Sequence, residues 1–439
     1  MDLPSKKWPF RVTQKTGSPP TLKRRTRLLV PPVFLGVGLL ILFTHLNLPS
    51  NHIDDPQGAT AEARVHPFGS PKPIPRLLGA QVLVFTCESY AQVEKAIRGL
   101  AQAGVNTLIV RAFQNRGDRI YRFASPKCRT GVYFQTTHAP VVDAVLGRIV
   151  TLAHRHGLRV FAWMETRKTP LDISRPAKAK AVSYCFKTES YTPGSSWSIF
   201  DPTVESRLVG LYQDVVKTGV DGILIQDDLI MYHNEDFSSK ATARFLEETG
   251  KRLDPKALYG TVFQDAQGHW CVPEYSETFW LWASWKNEQL LRLARKLILA
   301  AKAENPDISV AMNFMYESVT APRNALAWLS QSLAEATTLP IDYFAIMAYH
   351  RQIRKELQLS EEAAYNKVAH MTNRLLEWIE DPHQILMKVQ MTDWKTRQEI
   401  PPYEANQVFR RINQQGRVSL AFIPYSPTLP LNIIGHHYR

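Results

Sequence analysis

Only four cysteines occur in this chain of 439 residues, and none sits in the CxxC or CxxH spacing of a structural zinc site. The fold must therefore rest on a packed core, which a 44% hydrophobic composition can supply. No low-complexity tract is present, and no sequence repeat beyond the strand and helix alternation described below. A glycine-rich phosphate turn is missing as well: the first predicted strand is followed by TCESY, without glycine, which disfavours a doubly wound nucleotide-binding sheet. Nor does any nucleic-acid reading motif accompany the net charge of +13.

That charge is unevenly placed. Residues 1–27 hold Lys6, Lys7, Arg11, Lys15, Lys23, Arg24, Arg25 and Arg27 against the single acid Asp2, so about half of the excess lies in a short basic tail. Directly after it runs LLVPPVFLGVGLLILFTHL, residues 28–46, uncharged apart from His45. At ~1.5 Å per residue a helix of this length spans roughly 28 Å, the thickness of a bilayer core. Pro31 and Pro32 fall in its first turn, where proline is tolerated. The basic flank precedes the segment and none follows immediately, so a single-pass inner-membrane anchor is expected, with the N-terminus cytoplasmic and the remainder periplasmic. A cleaved signal peptide is the alternative. Residues 47–75, rich in Pro, Ser, Gly and Asp, read as a linker, and residues 76–439 as the globular domain.

Within that domain short apolar runs alternate with amphipathic ones. The predicted strands are 81–86, 107–113, 159–164, 222–227, 308–314, 343–349, 384–390 and 418–425. The predicted helices are 89–103, 141–156, 204–218, 278–304, 325–336, 361–379 and 404–415, several closed by Gly104, Gly157, Gly219 or Gly416. Eight strands in order, with a helix between each and the next, predict an α/β fold, the (β/α)8 TIM barrel, whose chemistry lies at the carboxyl ends of the strands. Those ends carry Cys87 and Glu88, Arg111, Phe113 and Gln114, Trp163 and Glu165, Asp227 and Asp228, Asn313, Tyr349 and His350, Gln390, Asp393 and Trp394, and Tyr425. Rings stack on sugar faces while acids and amides bond hydroxyls, so the inventory suggests a carbohydrate groove.

The most specific run is DGILIQDD, residues 221–228. Strand alternation puts Ile223 and Ile225 outward and Leu224, Gln226 and Asp228 inward. Asp228 is then the expected general acid, with Asp227 orienting it, binding substrate or raising its pKa by like-charge repulsion. Glu165, on the rim of the preceding strand, is a third candidate carboxylate.

The stretches VRAFQNRGD (110–118), VFAWM (160–164), IFDPTV (199–204), DGILIQDDLIMYHNEDFS (221–238), FAIMAYH (344–350) and VQMTDW (389–394) resemble the C-terminal glycoside hydrolase domain of the poly-β-1,6-N-acetylglucosamine deacetylase PgaB family, over roughly residues 80–432. The resemblance implies a barrel that cleaves a partly deacetylated amino-sugar exopolysaccharide, with Asp227 and Asp228 at the family's catalytic pair and Trp394 and Trp328 at its sugar-stacking positions. It implies no metal or organic cofactor for hydrolysis. The metal-binding deacetylase domain that usually precedes the barrel is replaced by the anchor and linker, so no deacetylation is expected. Gln226 stands where the family has His, His233 where it has Asp, and Glu165 where it has Pro. Arg111, Gln114, Asn313, Tyr349 and Tyr425 complete the expected substrate contacts, and exopolysaccharide synthesis or export machinery is a possible partner. A polysaccharide-binding protein without turnover and a hydrolase of another glycan, such as an α-glucan, remain open. In an oxidising compartment the cysteines would form one or two disulfides, with Cys128 and Cys185, on loops of successive strands, the preferred pair.

Overall fold

The computed structural model describes residues 73–264 and 270–427. The expected tail and anchor, and the linker apart from its last residues, lie outside the described residues. Among those described, no helix is long and apolar enough to cross a membrane.

Eight strands follow one another in the chain: β1 (Leu78–Val82), β2 (Thr107–Arg111), β3 (Arg159–Met164), β4 (Gly222–Ile225), β5 (Ser309–Phe314), β6 (Tyr343–Ala348), β7 (Ile385–Gln390) and β8 (Ser419–Ile423). All pair in parallel with their sequence neighbours, and β8 returns to β1 through Leu78 opposite Leu420, which closes the barrel. The main helices are α1 (Tyr90–Gln102), α2 (Leu146–Arg155), α3 (Pro202–Val216), α4 (Glu277–Glu304), α5 (Pro322–Leu329), α6 (Glu361–Trp378) and α7 (Pro402–Asn413). Side-chain caps from Ser89, Asp201, Ser276 and Ser360 open α1, α3, α4 and α6 by accepting otherwise unpaired backbone N–H bonds. Gly104, Gly157 and Gly219 end the turns before β2, β3 and β4 with φ of 90°, 73° and 83°, a region that penalises any Cβ.

Alternation sorts the strand residues into two cores. Ile109, Phe161, Trp163, Leu224, Ala311, Tyr343, Ala345, Leu386 and Ala421 fill the barrel, three large rings being accommodated by three alanines. Ile223, Ile225, Val310, Met312, Phe344 and Ile346 face the helices. The parity expected for β4 therefore holds along the strand itself.

Several element boundaries differ from the sequence expectation, and three of them have a visible cause. β1 starts at Leu78 rather than 81, because Gly79 admits a close approach: a Cβ there would lie 2.8 Å from Leu77 and 3.2 Å from Ala421. α2 starts at Leu146 rather than 141, since Val142 N–H donates to Val132 in a small sheet beside the loop after β2. The single helix expected over 325–336 is two, divided where Ser330 adopts φ 49°. The expected Cys128–Cys185 disulfide is also corrected, because all four cysteines are free thiols in the structure. The Cys128 thiol is turned to the carbonyls of Thr130 and Val141 within its own loop, and the thiol of Cys185 to Thr188.

Gly222 opens β4 directly beneath the Phe161 ring, where a Cβ would lie 2.5 Å from the nearest ring carbon. Gly222→Ala should therefore cost about 1–3 kcal/mol through overpacking of a closed interior. A lowered melting temperature measures it, and an unchanged one would show that Phe161 can move aside.

Candidate active site

β4 ends at Ile225, and its strand alternation ends with it. Gln226 still turns inward and accepts a hydrogen bond from the Trp163 indole of β3. Residues 226–229 then form a turn, so the two aspartates diverge in a way that strand parity does not describe. The Asp228 carboxylate swings sideways to the loop after β3, where it accepts bonds from Thr166 N (3.1 and 3.0 Å), Thr166 Oγ1 (2.9 Å) and Lys168 N (2.8 Å). It is 6% exposed. Asp227 keeps partial solvent access, and its charge is felt by Tyr349 at the end of β6 and by Lys388 within β7. β6 and β7 follow β4 around the barrel after β5, so Asp227 lies toward that side of the barrel end, away from the loop after β3 that holds Asp228.

Glu165 follows β3 and is 4% exposed. Its Oε1 accepts from Asn115 Nδ2 at 2.7 Å, while Oε2 is buried without a hydrogen-bond partner. Burial, and then the neighbouring Asp228, hold its pKa well above the ordinary glutamate range. Burial also raises Asp228, against the opposing hydrogen bonds from Lys168 and Thr166. Tyr212 of α3 lies against the same pair, its hydroxyl buried without a partner, and burial followed by the charges of Asp228 and Glu165 raises its pKa. The two carboxyl groups thus form a buried acidic unit between β3 and β4, behind Asp227.

Two buried basic side chains hold the loops that carry these acids. Arg167 pairs with Glu235 (3.3 Å) and donates to the carbonyls of Trp197 (3.1 Å) and Ile230. Lys286 of α4 donates to the carbonyls of Tyr232 (2.8 Å) and Glu235 (2.6 Å) and sits 3.8 Å from the Trp282 ring centroid. Together they tie the segment after the aspartates to the loop after β3 and to the outer helical layer.

The remaining expected residues divide. Tyr349 and Trp394 meet edge to face at 5.6 Å on the far side of the mouth. Asn313 on β5 bonds Lys388 Nζ through Oδ1 at 2.8 Å. Trp328 is half-buried against Ile230, Met315 and Leu329. Tyr425 is half-buried beside Phe85, with ring centroids 6.3 Å apart. Arg111 and Gln114 are displaced from the expected role of substrate contacts, because both are 1% exposed and bonded internally. Arg111 donates to Asp118 (3.0 Å), Gln114 Oε1 (3.0 Å) and the Arg119 carbonyl (2.7 Å). Gln114 Oε1 also accepts from Tyr133, and its amide donates to the Asn115 and Asp118 carbonyls. They shape the loop that presents Asn115 to Glu165. His350 is likewise internal, bonded at 2.8 Å to Glu404, whose own burial is outweighed by Arg351 and His350 so that its pKa falls to about 2.

Sequence reading passed over Lys388, Asn115 and the Thr166–Lys168 loop. Lys388 left a signal: a lysine flanked by apolar residues in a run that reads as a buried strand. Asn115 and Thr166 left none, since polar loop residues are ordinary. Two cavities, of about 570 Å³ beside Gly117–Arg129 and about 470 Å³ beside Arg351–Leu359, do not include Asp227. The convergence of acid, amide and rings at the mouth is the better guide to where a sugar sits, because those groups can act on one.

Residues 91–423 match the family model described as hypothetical glycosyl hydrolase family 13. The chain belongs to that family. Its barrel is accordingly a glycoside hydrolase domain. Among solved structures, the PgaB (BpsB) glycoside hydrolase domain from Bordetella bronchiseptica is similar over 83% of this chain and 96% of its own, at 19% identity and a TM-score of 0.63. A β-galactosidase from Halorubrum lacusprofundi (11% identity, TM-score 0.54, 82% of this chain and 57% of that one) and one from Rahnella sp. R3 (16%, 0.52, 80% and 51%) share the barrel. Comparison with curated proteins finds no match.

The raised Glu165 carboxyl sets a pH dependence. The folded protein keeps a proton there that the unfolded chain releases in the ordinary range, so the wild type loses stability as pH rises from about 4.5 toward the raised value. Glu165→Gln removes that slope. Its melting temperature should exceed that of the wild type at pH 8 by roughly 2–4 °C, the shift that ~1 kcal/mol produces, with the difference vanishing near pH 4. Parallel melting curves across the whole pH range would contradict the assignment.

Proposed function

We propose that this glycoside hydrolase cuts an amino-sugar exopolysaccharide of the poly-β-1,6-N-acetylglucosamine type, with Asp227 as the general acid. The reading rests on one observation above the others. Of the three carboxyl groups Glu165, Asp227 and Asp228, Asp227 alone is not buried, and its charge reaches Tyr349, whose ring meets Trp394. A general acid must reach the glycosidic oxygen, and Asp228, the acid expected from strand parity, is enclosed by Thr166 and Lys168.

In this scheme the sugar lies with one face against Trp394 and Tyr349, and Trp328 extends the aromatic surface. Asp227 gives its proton to the oxygen leaving the anomeric carbon, and water supplies the new bond to that carbon. Asp228 and Glu165 act behind it, Asp228 by fixing the turn that aims Asp227 and Glu165 by holding the Asn115 loop. The amino-sugar assignment draws on the matching motifs and on the PgaB glycoside hydrolase domain among the similar structures. Residues 28–46 would anchor the enzyme in the inner membrane with its barrel in the periplasm, where exopolysaccharide synthesis or export machinery would be its neighbour.

Incubation with partly deacetylated poly-β-1,6-N-acetylglucosamine should release oligosaccharides detectable by mass spectrometry, and an α-glucan should stay intact. Asp227→Asn should lower the rate by at least ~100-fold, the scale of a lost general acid, with little change in melting temperature. Asp228→Asn should lower the melting temperature instead, because it weakens bonds to Thr166 and Lys168 in a buried site. Full activity in Asp227→Asn would return the acid to Asp228. Binding without cleavage would make the protein a polysaccharide-binding one.

A further inference from the structure

The loop after β2 carries unpaired positive charge. Residues 114–130 hold Arg116, Arg119, Arg122, Lys127 and Arg129 against the one acid Asp118, and all five basic residues are exposed. Among the described residues only Arg122 of these has an ion pair, with Glu88 at 3.3 Å. The nearby acids are already engaged. Asp118 Oδ2 is held by Arg111 Nη1 at 3.0 Å, and Asp143 accepts backbone N–H bonds from Ser125 and Ala144, each at 2.8 Å.

The cavity of about 570 Å³ in this loop is lined by Gly117 and Asp118 from one part of it and by Lys127, Cys128 and Arg129 from another. A volume of that size falls among small-molecule sites, whereas one water takes up ~30 Å³, so the space suits a group larger than a bare ion. Ammonium and guanidinium groups without a protein carboxylate bind oxyanions, the guanidinium through two parallel N–H donors. Gly117 lies two residues from Asn115, whose Nδ2 bonds Glu165 Oε1 at 2.7 Å. Their Cα atoms are therefore within ~7.6 Å, and the cavity stands next to the acidic unit behind Asp227.

For an anchored protein the membrane is another source of anionic groups, but the chain enters the barrel at its other end. The carbonyls of Ile74 and Pro75 accept from His383 (3.1 Å) and Tyr343 (2.8 Å), and Arg76 donates to the Val418 carbonyl (2.9 Å), all at the amino ends of β6, β7 and β8. Resting on the amino-sugar polymer reading of the substrate, we propose that the cavity is an outlying subsite for an anionic substituent, a carboxylate or phosphate ester on a sugar unit beyond the one at Asp227. Lys127 and Arg129 make the contact, and Arg116 and Arg119 add to the local positive potential. The polymer this site takes is then zwitterionic, with amines on some units and acidic esters on others. Its substituent and its reacting unit bind as one chain, so each raises the effective concentration of the other.

The test uses the full-length protein in a nonionic detergent without a sugar headgroup, titrated calorimetrically with β-1,6 amino-sugar hexamers whose sulfur linkages resist hydrolysis. One hexamer is unmodified, and the others carry a single succinate half-ester at successive units. The best-placed ester should tighten binding at least about tenfold, the scale of one charge-assisted hydrogen bond. Lys127→Glu combined with Arg129→Glu should erase that gain and leave the affinity for the unmodified hexamer as it was. Thermal melts establish folding, and if the double variant fails to fold, Lys127→Ala and Arg129→Ala decide, each removing part of the gain. Equal binding of all hexamers by the wild type overturns the inference alone. So does a gain that persists in the folded double variant, since it would then come from the basic tail of residues 1–27. Pyrophosphate, or phosphatidylglycerol in mixed micelles, that binds through Lys127 and Arg129 while no ester tightens the hexamer would assign the cavity to a free anion or to lipid and overturn the substituent. Binding of no hexamer overturns the amino-sugar reading and this inference with it.

Discussion

The site depends on the carboxylate of Asp228 and the backbone it binds. Four contacts from Thr166 and Lys168 join the loops after β3 and β4 at the point where the barrel strands end. A carboxylate so placed cannot also work as an exposed acid, and its capture releases Asp227 to the mouth. The cost of burying that charge shows in the raised pKa values of Asp228 and of Glu165 beside it. Arg167 and Lys286 then fix the segment downstream, so the geometry of the acids is set from both sides.

This arrangement divides the polar residues of the barrel's upper end into structural and presenting sets. Arg111, Gln114, His350 and Glu404 bond one another or nearby backbone and leave little for a ligand. Asp227 and Trp394 keep partial exposure, while Tyr349 packs edge to face on Trp394 and Asn313 is held by Lys388. Rigid support of a few exposed groups is what a hydrolase needs, because the acid and the sugar must meet within a fraction of an ångström. The family match makes the barrel a glycoside hydrolase, and the presenting set is where that chemistry has room to occur.

Much of the fold was legible in the order of residues because strand and helix periods are local. The runs ISVAMNF and RVFAWM coincide with β5 and β3 almost residue for residue, and Gly104, Gly157 and Gly219 mark the turns. The misplaced boundaries share a cause: Gly79, Val142 and Ser330 take their conformations from partners distant in the chain or from a backbone region their side chains do not advertise. Position at the barrel's upper end was legible for Asp227, Asn313, Tyr349 and Trp394, because each follows from the end of an apolar run. The assignment of Arg111 and Gln114 failed because their partners, Asp118 and Tyr133, belong to a loop whose path composition does not reveal.

DGILIQDD by itself determined a buried parallel strand ending in two acids, since alternation and an apolar run are properties of the segment alone. Only the tertiary structure decided what each acid can do. The turn at residues 226–229 and the donors of Thr166 and Lys168 lie outside strand periodicity, and they set the two acids apart: Asp228 is enclosed by protein donors and Asp227 keeps partial solvent access. The same holds for Lys388, an anomaly in sequence whose meaning comes from Asn313, 75 residues away in the chain and 2.8 Å away in space.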